Sequence, residues 1–184
     1  MNEKIEQYVR NHGRNFMEWL CDIISIPSPT GHEQAKGEWI LNLLHQWGAA
    51  GAYRDAAGNV VYPCHVKSGE KVALYTAHID TVFQDLQEIH IRQTGHILSA
   101  PSCSDNSASI AGLLFIIKMF HDLQLTPPQS LLFAFDVGEE GLGNLKGMRQ
   151  VMADWHGRIA EVVAVDCTFD TFVTTAVGSR RYAV

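Results

Sequence analysis

The chain has 184 residues, 46% of them hydrophobic and 18% charged, with a formal net charge of −6. That length allows one sizeable domain, and an acidic balance without a Lys/Arg block argues against nucleic acid or an anionic membrane as the main partner. No apolar run approaches the roughly 20 residues of a membrane span, and the charged start Met1-Asn2-Glu3-Lys4-Ile5-Glu6 is unlike a signal peptide, so cytoplasm is the expected compartment.

In chain order, Ile5, Tyr8, Val9 and Phe16 recur at near-helical spacing before Trp19, Leu20 and Ile23, which predicts an amphipathic helix through about residue 24. A Pro-Ser turn follows, then a helix over 32–47. Residues 59–66 and 72–78 read as neighbouring strands joined by the Lys67-Ser68-Gly69-Glu70 turn, and 90–98 as a short pair broken at Gly95. A helix over 107–123 is separated by Thr126-Pro127-Pro128 from a strand over 130–136, whose run Leu131-Leu132-Phe133-Ala134-Phe135 fits burial on both faces. A helix over 145–155 leads into a last strand ending at Asp166. Three strands that end in His or carboxylate, with helices between them, predict an open α/β sheet whose ligand crevice lies outside the carboxyl ends of the strands.

Those strand ends carry the chemistry. In Leu74-Tyr75-Thr76-Ala77-His78-Ile79-Asp80, residues i and i+2 point to one side of an extended chain, so the Asp80 carboxylate is expected to accept a hydrogen bond from His78 and make the ring a better metal ligand. A solvated turn would also hold such a pair. Asp105, in Ser102-Cys103-Ser104-Asp105-Asn106-Ser107, stands before an apolar helix and serves equally as its N-cap, as do Ser104 and Ser107. Glu139 and Glu140 precede Gly141-Leu142-Gly143-Asn144, where a following helix dipole would also favour negative charge. Asp166 after Val162-Val163-Ala164-Val165 is, alone, an ordinary turn residue. Together, one His and several carboxylates suit zinc, and two ions sharing a carboxylate could polarise a carbonyl and supply hydroxide, with one carboxylate left to take the water proton.

The same landmarks carry a family resemblance over nearly the whole chain. Ile26-Pro27-Ser28-Pro29-Thr30-Gly31-His32-Glu33, Ala77-His78-Ile79-Asp80-Thr81-Val82, Ser104-Asp105-Asn106, Gly138-Glu139-Glu140-Gly141-Leu142-Gly143, Val165-Asp166 and Ala176-Val177-Gly178-Ser179-Arg180-Arg181-Tyr182 stand in the order of the two-zinc metallopeptidases. The chain is similar to that family, which includes peptidase T, carboxypeptidase G, aminoacylase-1 and succinyl-diaminopimelate desuccinylase. The resemblance implies a three-layer α/β domain with a mixed, mostly parallel sheet and helices on both faces. It implies that His78, Asp105 and Asp166 bind one zinc, that Asp105 bridges to a second held by Glu140, that Glu139 is the general base and that Asp80 orients His78. The peptide bond after the bridging aspartate is often cis in this family, which marks Asp105-Asn106.

The family places its last ligand, a His, far beyond Val184, and a lid domain after a boundary near Gly178. Residues 1–178 are therefore expected to be the N-terminal portion of a catalytic domain and 179–184 the start of the lid, with residues 181–184 in a strand, the fragment alone inactive, and any homodimer formed through the lid. The implied activity is hydrolysis of short peptides or N-acyl amino acids, with Asp166 favouring aminopeptidase or dipeptidase action over deacylase or carboxypeptidase action. A non-catalytic binding module on the same scaffold is the rival from another class, and the related zinc aminopeptidases are a nearer one. GxxGxG around Gly138 has the wrong order for a dinucleotide fingerprint, and no GxSxG elbow occurs. Cys21, Cys64, Cys103 and Cys167 form neither a CxxC pair nor a disulfide scaffold, and are expected to be reduced. Cys103 and Cys167 lie beside Asp105 and Asp166 but read as ordinary small buried residues. Of nine histidines only His78 has a metal-like context.

Overall fold

A computed structural model describes residues 2–85, 88–166 and 171–175. The elements run α1 (Asn2–Ser25), α2 (Gln34–Gln46), β1 (Tyr53–Arg54), β2 (Val60–Cys64), β3 (Val72–His78), β4 (Arg92–Thr94), β5 (Ile97–Ser99), α3 (Ala108–Asp122), β6 (Ser130–Asp136), α4 (Lys146–Asp154) and β7 (Ile159–Ala164). The main sheet has the order β1-β2-β6-β3-β7, and β4 pairs with β5 in a separate hairpin. β3 is parallel to both β6 and β7, whereas β2 runs antiparallel to β6 and to β1. This is the expected mixed sheet.

One expected pairing is replaced. β2 and β3 are not neighbours, because β6 lies between them and hydrogen-bonds to both. All seven residues of β6 are buried, and a strand apolar on both faces gains most from an interior position with partners on either side. The exchange has a functional consequence. Parallel β3, β6 and β7 now deliver their carboxyl ends to one edge, with His78 opposite Asp136 in the register.

Helices cover both faces. Tyr62, Ala73, Ala77, Phe133 and Phe135 pack with Leu20 and Ile23 of α1, Ile40 and Leu44 of α2, and Ile110 and Leu114 of α3. The alternate residues Val61, Leu74, Leu132 and Ala134 pack on the other face with Val151 of α4 and Trp155 just after it. The period of two along each strand thus feeds two separate cores. No helix among the described residues is long and apolar enough to cross a membrane. The expected boundary near Gly178 and the expected strand over 181–184 lie outside the described residues.

The α4 face also buries a carboxyl group. Asp136 is 2% exposed and accepts a hydrogen bond from the Thr76 hydroxyl. Burial raises its pKa from 3.8 to about 6, with Thr76 and His78 pulling the other way. Between those two values the unfolded chain holds fewer protons than the folded one, so stability falls as pH rises through that window, by about 3 kcal/mol in all. Asp136→Asn keeps an acceptor for Thr76 and removes the ionisation. The variant is expected to lose that slope and to be more stable than the wild type at pH 8, which urea unfolding midpoints at acidic and alkaline pH will show.

Candidate metal centre

The site is assembled where β3, β6 and β7 end. His78 closes β3 and is 4% exposed. Its Nδ1–H donates to the main-chain carbonyl oxygen of Asp80 at 3.0 Å, while the Asp80 carboxylate oxygen Oδ1 is 3.7 Å away. The orienting bond expected from the carboxylate is made instead by the carbonyl. A carbonyl can only accept, so Nδ1 carries the proton and the lone pair of the neutral ring sits on Nε2. Nε2 lies 3.0 Å from Oδ1 of Asp105 and 3.8 Å from Oδ1 of Asp166.

The Asp80 carboxylate has other work. It is fully buried and accepts the main-chain N–H of Glu139 on Oδ1 and that of Glu140 on Oδ2, each at 3.0 Å. The Thr30 hydroxyl also donates to Oδ2, at 2.9 Å. Burial alone would raise the Asp80 pKa, but the nearby His78 imidazole and the bonds from the two glutamate N–H groups and Thr30 lower it to about 2. Asp80 therefore ties the loop after β6 to the end of β3.

Thr30 reaches Asp80 because residues 28–30 run beside 79–81. Thr81 N–H donates to the Ser28 carbonyl at 2.9 Å, and the Ser28 hydroxyl donates to the Ile79 carbonyl at 2.7 Å. The glutamate loop is also pinned from behind: the Asn59 side chain accepts the Val137 N–H at 2.9 Å and donates to the Gly147 carbonyl at 2.9 Å. A Cβ on Gly147 would stand 2.3 Å from Asn59 Oδ1, which explains the glycine there.

Asp105 does not cap α3. No side chain caps that helix, and Asp105 instead faces His78 from an extended conformation, followed by a cis peptide bond to Asn106. The cis bond is where the resemblance implied it. Asn106, 2% exposed, donates from Nδ2 to the Val165 carbonyl at 2.9 Å and so holds the Asp105 turn against the chain leading to Asp166. Cys103 is half-buried, with burial pushing its thiol up, and reads as a packing residue; Cys167 lies outside the described residues.

All six residues singled out from the sequence meet here. Among the described residues two groups have their donor atoms within 4.8 Å of one another: His78 with Asp105 and Asp166, and His78 with Glu139 and Glu140. Burial would lower the His78 pKa, but Asp80, Asp166 and Glu139 outweigh it and hold it near 9. Glu140 is raised by burial and then by Asp105 and Glu139. Such a set attracts positive charge at Nε2, and a divalent cation competing with the ring proton fits it in charge and donor type. Thr30, Asn59 and Asn106 were not marked in advance as positioning residues. Thr30 and Asn59 stand beside Gly or Pro in tight turns, whereas Asn106, between Asp105 and Ser107, carries no such signal.

A carboxylate and imidazole cluster on the carboxyl edge of a mixed α/β sheet is the kind of centre that metal-dependent hydrolases use. Residues 74–179 match peptidase family M20/M25/M40, more than half of the chain, and the chain belongs to that family. Its members are generally metal-dependent. A hydrolase assigned to LysW-lysine and LysW-ornithine in Pyrococcus abyssi is 32% identical over 134 residues, covering 72% of this chain and 35% of that protein. The chain thus spans about a third of that relative's length. Among solved structures, human carnosine dipeptidase 1 superposes with a TM-score of 0.73 at 14% identity, over 89% of this chain and 41% of that one. A tripeptidase from Staphylococcus aureus gives 0.65 at 20% identity, over 83% and 43%. These likenesses show the fold.

Proposed function

We propose that the whole protein to which this chain belongs is a zinc-dependent hydrolase of amide bonds in small substrates, acting on short peptides as an aminopeptidase or dipeptidase. The observation that carries this reading is the placement of His78 Nε2 toward Asp105 and Asp166, with Glu139 and Glu140 gathered around the same imidazole. His78, Asp105 and Asp166 would hold one ion, and Glu140, with Asp105 as the bridge, a second. Such ions, when bound, polarise the amide carbonyl and make water a nucleophile near neutral pH. Glu139 takes the proton of the attacking water and passes it to the leaving amine. Asp80 holds the main chain of Glu139 and Glu140 so that the base does not drift from His78, and the Asp80 carbonyl fixes the ring.

The dipeptidase and tripeptidase among the structural relatives agree with a short substrate, and the hydrolase of a lysine or ornithine conjugate agrees with amide chemistry. Hydrolysis of a dipeptide panel by the whole protein, abolished by a chelator and restored by zinc, is the expected result. Zinc binding with no turnover of any peptide would instead leave a binding module.

A further inference from the structure

Beside Glu140 a cavity of about 540 Å³ opens between the 30–31 turn and the glycine loop. Its wall includes Thr30, Val82, Gly138, Leu142 and Lys146. Val82 is 55% exposed and Leu142 is 83% exposed, so two large apolar side chains stand open to water next to a candidate metal ligand. Solvated aliphatic groups contribute nothing to the fold by burial, and an apolar wall continuous with a reaction centre is what a substrate side chain needs. Lys146 packs its methylene groups against the glycine loop on one wall. Its Cγ and Cδ lie 3.2 and 3.4 Å from where a Cβ on Gly138 would stand, and Gly138 has φ +66°, which a larger residue resists.

We infer that this cavity is a side-chain subsite of the enzyme, that it takes an aliphatic side chain of a residue flanking the scissile amide, and that Leu142 and Val82 set this preference. The inference rests on the peptidase reading above and adds its substrate class. The glycine loop supplies the shape: Gly143 has no room for a Cβ, which would meet the Gly138 carbonyl oxygen at 2.4 Å, so the loop folds tightly on itself. Leu142, between Gly141 and Gly143, is thereby left outward at the rim. A charged side chain entering here would lose water against Val82 and Leu142 and would meet the carboxylate of Glu140 if negative.

The experiment compares kcat/KM for Leu-Gly, Gly-Leu and Gly-Gly with the zinc-supplied wild type and the Leu142→Asp and Leu142→Ala variants, all as the whole protein to which this chain belongs. At its exposed position Leu142 carries little of the fold. For the wild type, at least one leucyl dipeptide is expected to exceed Gly-Gly on the order of tenfold to a hundredfold. That ratio is expected to fall toward one in Leu142→Asp and part of the way in Leu142→Ala. Equal use of leucyl and glycyl substrates by the wild type, or a ratio unchanged in Leu142→Asp, overturns the subsite. A zinc-loaded wild type that cleaves none of the three overturns the peptidase reading, and the subsite with it.

Discussion

Glu139→Ala is expected to lower kcat by two to four orders of magnitude while leaving bound zinc unchanged. The reason lies in how the loop is held. Asp80 grips the main-chain N–H of Glu139, not its side chain, so the variant keeps the loop and the position of Glu140. His78, Asp105, Asp166 and Glu140 remain as candidate ligands, and the variant loses the carboxylate proposed to take the water proton. Steady-state kinetics with elemental analysis of the same preparation checks both halves. Near-normal turnover would remove Glu139 as the base, and loss of zinc in step with activity would make it a ligand.

The second large effect is expected at Asp80. Removing its carboxylate in Asp80→Ala leaves three donors without an acceptor: the N–H groups of Glu139 and Glu140 and the Thr30 hydroxyl. It also takes the charge from beside Lys36, which is 1% exposed and whose pKa burial lowers to about 8 against the pull of Asp80. An unpaired buried donor costs about 1–3 kcal/mol, and the three share one site, so their costs overlap. A loss on the order of 3 kcal/mol or more is expected, with weaker zinc binding because the glutamate loop is freed. Urea unfolding and zinc titration of the variant measure the two. A change within about 0.5 kcal/mol, the range of ordinary surface substitutions, would show that the carboxylate is a bystander.

Much of the architecture was legible because local pattern and burial agree. The run from Leu131 to Phe135 has no polar face to offer water, and it forms the fully buried β6. Five of the six candidate site residues follow an apolar strand, which in a parallel arrangement brings them to one edge, while Asp105 precedes an apolar helix. Other features depend on partners distant in sequence. Nothing local to Lys67-Ser68-Gly69-Glu70 distinguishes a hairpin from a crossover, and only the demand of β6 for two neighbours separates β2 from β3. The i, i+2 spacing of His78 and Asp80 correctly brought the two together but assigned the bond to the wrong oxygen, since the carboxylate is occupied by donors some 50 to 60 residues away. Asp105 reads as a helix cap by position, yet the turn points it at His78 instead. Lys36 shares the buried stripe of α2 with Ile40 and Leu44; a lysine at a core position of an amphipathic helix was the available sign of a buried charge beneath the site.

The claim at the centre of this account is that His78 organises a zinc site. Isothermal titration of the intact protein with zinc, beside His78→Ala, tests it directly, with elemental analysis giving the stoichiometry. Saturable binding by the wild type, reduced by at least tenfold or abolished in a folded His78→Ala variant, is the predicted result. Wild type that binds no zinc, or a variant that binds it as tightly, would contradict it.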